Sequence, residues 1–282
     1  MKFSSAAADV FVPDGRPVAA ALARTTHLCL AAHQDDIEIM AYHGIAECHG
    51  RRDRWFTGVV LTDGSGSPRA GKFANYSDEQ MKAVRRAEQR RAARIGGYSA
   101  VIQLAHPSTV VKSGNSAAVR GDLAALLAAC SAKIVYLHNP ADKHDTHVAV
   151  SLRCLEALRA LPAAKRPKQV LGCEVWRNLD WLVDRDKVLL DDSAHPALAA
   201  KLIGVFQSQI AGGKRYDRAI AGRRLANATF HTSHATDEAS AVTWAMDLTP
   251  LVRDPKLSVE KHTLAHLDRL RTDVAARLKK FK

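Results

Sequence analysis

His33-Gln34-Asp35-Asp36 sets a histidine beside two adjacent carboxylates. Carboxylates this close raise one another's pKa, and a bound cation removes that penalty. A second cluster, His138-Asn139-Pro140-Ala141-Asp142-Lys143-His144-Asp145-Thr146-His147, holds three histidines and two aspartates within ten residues. His144 and His147 are three apart, so both can face one side of a helical turn. Each cluster also has a plain explanation. Asp35 or Asp36 could cap a following helix, and the later run could be a polar loop rich in surface histidines.

The elements that must position these residues decide between the alternatives. Thr26 to Ala32 is a short apolar run ending at His33, which suits a buried parallel strand, and Ile37 to Cys48 then carries helical spacing. Further strands are predicted at Trp55–Leu61, Ala100–Leu104 and Ile134–Leu137, and later ones at Gln169–Trp176 and Val183–Leu190. Helices are predicted from Ser77 or Asp78 to about Ile95, stopped by Gly96-Gly97, then over Ala117–Cys130, His147–Leu161, Pro196–Gln209 and Ser258–Leu278. Phe11 to Pro17 is predicted as a loop. Strand–helix alternation predicts an α/β fold, a parallel sheet covered by helices on both faces. The chain is predicted as a single domain over 1–282, with a core of about 22–165 and a C-terminal extension of about 166–282. Ligands of such sheets sit beyond the carboxyl ends of the strands, where strand order reverses. In the simple order 3-2-1-4, the two clusters follow neighbouring strands, which favours a shared metal site.

Two histidines and one carboxylate, with open positions for water, form the pattern of catalytic zinc, and iron(II) suits the same set. His33, Asp36 and His147 are the preferred ligands. Asp35 is then left as general base and His144 as stabiliser of an oxyanion, with Asp142 supporting a histidine by a hydrogen bond. Spacing alone does not separate His144 from His147.

The first cluster resembles the Ala-His-Pro-Asp-Asp-Glu signature of the PIG-L/LmbE-like zinc deacetylases. Leu61-Thr62-Asp63-Gly64, Arg85-x-x-Glu88 and His144-x-x-His147 follow in matching order, over roughly residues 26 to 160. The resemblance implies a Rossmann-like fold, a zinc cofactor and hydrolysis of an N-acetyl group, often on a glucosamine-containing metabolite. It carries the same roles onto His33, Asp36, His147, Asp35 and His144. Gln34 replaces the usual proline, Ile37 the usual glutamate and Thr146 the usual aspartate. His106-Pro107-Ser108 replaces the aspartate after the third strand. The alternative of a different class is a catalytically silent, metal-bearing scaffold that binds a sugar or a partner.

On the helix near residues 78–95, Met81, Val84, Ala92 and Ile95 share one face, with Glu88 near its centre and Arg85 at its edge. A carboxylate rarely enters an apolar stripe unpaired, so Glu88 is predicted to pair with Arg85. The pair is either structural or a device that aims Arg85 at the substrate. Arg86, Arg90 and Arg94 fall on the opposite face, predicted to be solvated. The net charge of +12 is spread along the chain, which disfavours nucleic acid as a partner and fits attraction of a small anionic substrate. Five scattered cysteines without Cys-x-x-Cys read as reduced thiols. No stretch suits a signal peptide or a membrane span, so the predicted address is cytoplasmic. Trp176 and Trp181 are core residues or a stacking surface for a sugar, and Gln207–Tyr216 is a lid or an oligomer contact. His231 and His234 are predicted at the surface.

Overall fold

The computed structural model describes residues 1–282. One eight-stranded sheet runs through it, built from β1 (Asp9–Phe11), β2 (His27–Ala31), β3 (Phe56–Thr62), β4 (Ala100–His106), β5 (Ile134–His138), β6 (Gln169–Cys173), β7 (Lys187–Asp191) and β8 (Val242–Asp247). Their order across the sheet is β1-β4-β3-β2-β5-β6-β8-β7. The stretch β4-β3-β2-β5-β6 is parallel, and β1, β8 and β7 are attached antiparallel. The four strands predicted first therefore take the predicted order, with the reversal between β2 and β5. β1 corrects the predicted loop at its start: Asp9 to Phe11 pairs with Gln103 to Val101.

Every residue of β2 and β3 is buried, as in the centre of a sheet covered on both faces. Alternate side chains leave on opposite sides. Leu28 and Leu30 of β2 join one apolar cluster with Val59, Leu61, Leu137 and Val150, while Cys29 and Ala31 join another with Ile37, Val60 and Tyr136. The first face is covered by α1 (Val18–Ala23), α5 (Ser108–Lys112), α6 (Ala117–Ala129), α7 (Asp145–Arg159) and α11 (Thr249–Arg253). The other is covered mainly by α2 (Asp36–Met40), α3 (Tyr42–Cys48), α4 (Asp78–Gly96), α8 (Pro196–Ile203) and α10 (Tyr216–Thr229).

Ser77 starts α4 with a reciprocal cap to Gln80, and Gly97 ends it at φ +66°, a backbone that glycine adopts without strain. The buried face of α4 is centred on Arg85 and Gln89 rather than on Val84 and Glu88. The predicted solvated face is also partly engaged. Arg86 donates to Ala7 O, Arg90 pairs with Asp9, and Arg90 and Arg94 lie over the Phe11 ring. These arginines hold β1 against the sheet. The helix predicted over Pro196–Gln209 breaks after Ile203, and α9 (Gln207–Ile210) follows as a single turn. In α12 (Val259–Lys280), only Thr263 and His266 are buried, so its C-terminal half stands in solvent. No helix is long and apolar enough to cross a membrane.

Candidate metal centre and cleft

The carboxyl ends of β2 and β5 carry the two histidine-rich segments. After β2 the chain turns sharply: Asp35 takes φ +94°, a strained backbone for a residue other than glycine. The Asp35 N–H donates to Gln89 Oε1 at 3.3 Å, and Asp36 opens α2. This turn sends the two neighbouring carboxylates in different directions. After β5, His144 is the N-cap of α7 and His147 lies in its first turn.

Three donor atoms meet between these segments. His33 Nδ1 lies 3.2 Å from Asp36 Oδ2 and 3.2 Å from His147 Nε2, and His147 Nε2 lies 3.3 Å from Asp36 Oδ2. A tetrahedral cation with bonds of about 2.0 Å spaces its donors about 3.3 Å apart. The triangle therefore fits a zinc-sized ion, and two imidazoles plus a carboxylate are the donor chemistry that ion takes. Asp142 Oδ2 stands 3.1 Å from His147 Nδ1, which leaves Nε2 facing the triangle. Asp142 also accepts from the backbone N–H groups of Lys143, His144, Trp176 and Arg177.

Proton affinities report the same crowding. Burial works to raise Asp36, but His147 and His138 outweigh it and hold the carboxyl well below its usual range. Burial works against charge on His147, yet Asp36 and Asp142 lift its imidazole to about 9. Asp35 goes the other way: burial, with Asp36 and Glu38 adding, pushes it well above the usual range despite Arg85.

The structure separates the two late histidines where spacing did not. His147 closes the triangle, and His144 stacks on it with ring centroids 4.5 Å apart, edge-on to His33 at 5.1 Å. His144 Nδ1 is buried without a partner. His138 was not singled out from the sequence. It lies in the sheet with its ring stacked 3.9 Å behind His147 and 3.5 Å from Asp36. Its Nε2 accepts from the Ala32 N–H at 2.9 Å, so that lone pair is already used. A strand-end histidine inside an apolar run was the available signal.

Arg85 comes to the site, but not through Glu88. Its Nη2 lies 3.3 Å from Asp35 Oδ1 and donates to Gln34 O, and its Nη1 donates to Ser67 Oγ. No Arg85–Glu88 ion pair forms. Glu88 instead accepts from Ser208 N at 2.8 Å and Ser208 Oγ at 2.5 Å, tying α4 to α9. Proximity along the helix suggested Arg85, but a partner 120 residues away wins. Gly64, at φ +77°, lies so close that a Cβ there would meet Gln34 Oε1 at 2.6 Å and Arg85 Cδ at 3.1 Å.

These groups border a cleft of about 430 Å³. Its lining includes His33, Asp35, Asp36, Arg85 and the Asp63–Pro68 loop, together with His144, Trp176, Gln209, Lys214 and Tyr216. Trp176, left open between core and cleft by the sequence, therefore borders the cleft, as does part of the predicted lid segment. His106 does not replace the missing aspartate at the cleft. It is buried and pairs with Asp122 at 3.0 Å, and Ser108 borders the cleft instead.

The strand order reverses between β2 and β5, which makes the fold Rossmann-like, and a two-histidine, one-carboxylate donor set that could hold a cation lies at that reversal. Residues 28–158 match the PIG-L family, described as GlcNAc-PI de-N-acetylase. That match spans the region in which the motifs lie. Solved structures share the fold. N,N'-diacetylchitobiose deacetylase of Pyrococcus horikoshii is 16% identical at a TM-score of 0.62, over 82% of this chain and 86% of that one. The 4-carboxy-2-hydroxymuconate hydratase GalB of Pseudomonas putida KT2440 is 18% identical at 0.57, over 83% and 98%. The A40926 pseudoaglycone deacetylase is 18% identical at 0.54, over 79% and 97%. No curated protein matches the sequence.

Proposed function

We propose that this chain is a zinc-dependent N-deacetylase that removes an acetyl group from a small amino sugar or its conjugate. The observation that carries this is the donor triangle of His33, Asp36 and His147 with the Asp35 carboxylate beside it on the cleft wall. The fold is shared with a hydratase as well as with deacetylases, so the choice of reaction rests on this arrangement and on the family matched by residues 28–158.

His33, Asp36 and His147 would hold the ion. When bound, it supplies a Lewis acid for the acyl oxygen and lowers the pKa of water. Asp35 takes the proton as water attacks the acyl carbon, and that proton later reaches the leaving amine. Arg85 fixes the Asp35 carboxylate in place. His144, stacked on His147 and open to the cleft, donates a hydrogen bond to the oxyanion. Asp142 holds His147 in the tautomer that presents Nε2.

The test is acetate release from N-acetylglucosamine, its 1-phosphate and diacetylchitobiose by protein of measured metal content. Asp35→Asn should lower kcat about 100-fold or more with the metal still bound. Near-normal turnover in that variant would remove Asp35 as the base. Protein that holds zinc but releases no acetate from any of these compounds would leave the metal-bearing scaffold instead.

A further inference from the structure

Part of the cleft lining comes from the second half of the chain, and it holds polar groups left without a hydrogen-bond or ion-pair partner. Gln209 is only 3% exposed, yet its side-chain amide makes no hydrogen bond within the protein. A buried amide without a partner is rare and costs stability unless something else satisfies it. Lys214 borders the same cleft and forms no ion pair. Its Nζ lies 5.0 Å over the Trp176 ring, and Tyr216 stands edge-on to that ring at 6.3 Å.

The other charges around the cleft are already matched. Asp35 is paired with Arg85 and Asp63 with Lys82 at 3.2 Å, and Asp36 belongs to the donor triangle. Both Nη atoms of Arg85 are engaged by Asp35, Gln34 and Ser67, so this arginine has little left for a ligand. Lys214 is the cation in the cleft without a counter-charge. Trp176 offers the flat apolar face on which a pyranose ring packs, and its neighbour His144 sits 6.1 Å away, so this part of the lining adjoins the reacting end.

We propose that Gln209, Lys214, Trp176 and Tyr216 form a subsite for the far end of the substrate, and that this end is anionic. The ligand class is an N-acylated amino sugar bearing a phosphate or carboxylate, with Lys214 on the anion, Gln209 on a ring or acyl acceptor, and Trp176 under the ring. This rests on the deacetylase assignment for the reaction but not for the binding, so the two are tested separately.

Binding is measured on metal-loaded Asp35→Asn protein by calorimetry and by Trp fluorescence. The probes are N-acetylglucosamine 1-phosphate, N-acetylmuramic acid and methyl N-acetylglucosaminide. At least one charged probe should bind about five- to tenfold more tightly than the neutral one, and Lys214→Gln should erase that difference without weakening the neutral probe. The phosphate and carboxylate arms show which anion is preferred. Gln209→Leu should weaken all three probes while holding or raising the melting temperature, since it removes an unsatisfied buried amide. A structural role would instead lower that temperature. Equal binding of charged and neutral probes, a charge preference that survives Lys214→Gln, or no binding of either charged probe at millimolar concentration would each overturn the subsite. If binding follows Lys214 but the wild type releases no acetate, the subsite stands and the reaction assignment falls.

Discussion

Asp142 shows how much of the centre depends on one side chain. Its carboxylate gathers four backbone N–H groups from two segments and still reaches His147 Nδ1. Removing it frees the ring that closes the triangle. Asp142→Ala should weaken zinc binding about 10- to 100-fold, measured by competition with a chelator. Unchanged affinity would mean that the α7 backbone alone orients His147. Metal removal has a direct consequence as well. If the proposed centre holds zinc only when folded, the apo protein should melt at a lower temperature, and added zinc should restore it. At this scale the sequence was informative, because like charges and adjacent imidazoles are legible as types: His33, Asp36 and His147 come together as expected. What could not be read was which lone pairs were already used. The Ala32 N–H on His138 and the Gln34 carbonyl on Arg85 are backbone contacts across the fold, and residue type says nothing about them.

The elements add a titration. His27 begins β2, with its Nδ1 2.9 Å from Thr26 Oγ1 and 3.3 Å from Cys48 Sγ. Burial, helped by His43, lowers its imidazole from 6.5 to about 4. The folded state thus resists a proton that the unfolded state accepts. Stability from this group is fully present above pH 6.5 and is lost as pH falls toward 4. The loss is at most about 3 kcal/mol, and nearer 2 where water reaches the ring. Urea unfolding across that window should show a steeper fall for the wild type than for His27→Gln, and parallel curves would rule the group out. Glu88 belongs to this scale too, since it joins α4 to the start of α9. Glu88→Ala should cost about 1–3 kcal/mol and speed hydrogen exchange in residues 207–216. Unaltered exchange there would show that α9 needs no tether. Periodicity placed α4 and its caps correctly, because caps are local. It misjudged the face carrying Arg85 and the continuity of Pro196–Gln209, because those depend on contacts distant in sequence.

Across the whole molecule, one sheet joins the PIG-L region to the strands that follow it. β6 extends the parallel core, and β8 and β7 are added beyond it. β8 was not read in advance; it pairs antiparallel with β6 and β7, long-range contacts that the local pattern does not report. α12 was legible as a helix, but its end stands in solvent: Leu278 is 60% exposed and Phe281, just past the helix, 82%. Replacing both with glutamine should leave the melting temperature within a few degrees, because exposed substitutions seldom exceed about 0.5 kcal/mol. A large drop would reveal a contact that covers them in solution.

The tether between Glu88 and Ser208 separates two tasks that a single pocket must perform. The donor atoms of His33, Asp36 and His147 are carried by segments ending before residue 150, while Gln209, Lys214 and Tyr216 of the cleft lie from α9 to the start of α10. A library randomised at 209, 214 and 216 could therefore shift preference among acylated sugars and still recover metallated, folded enzyme from most of its members.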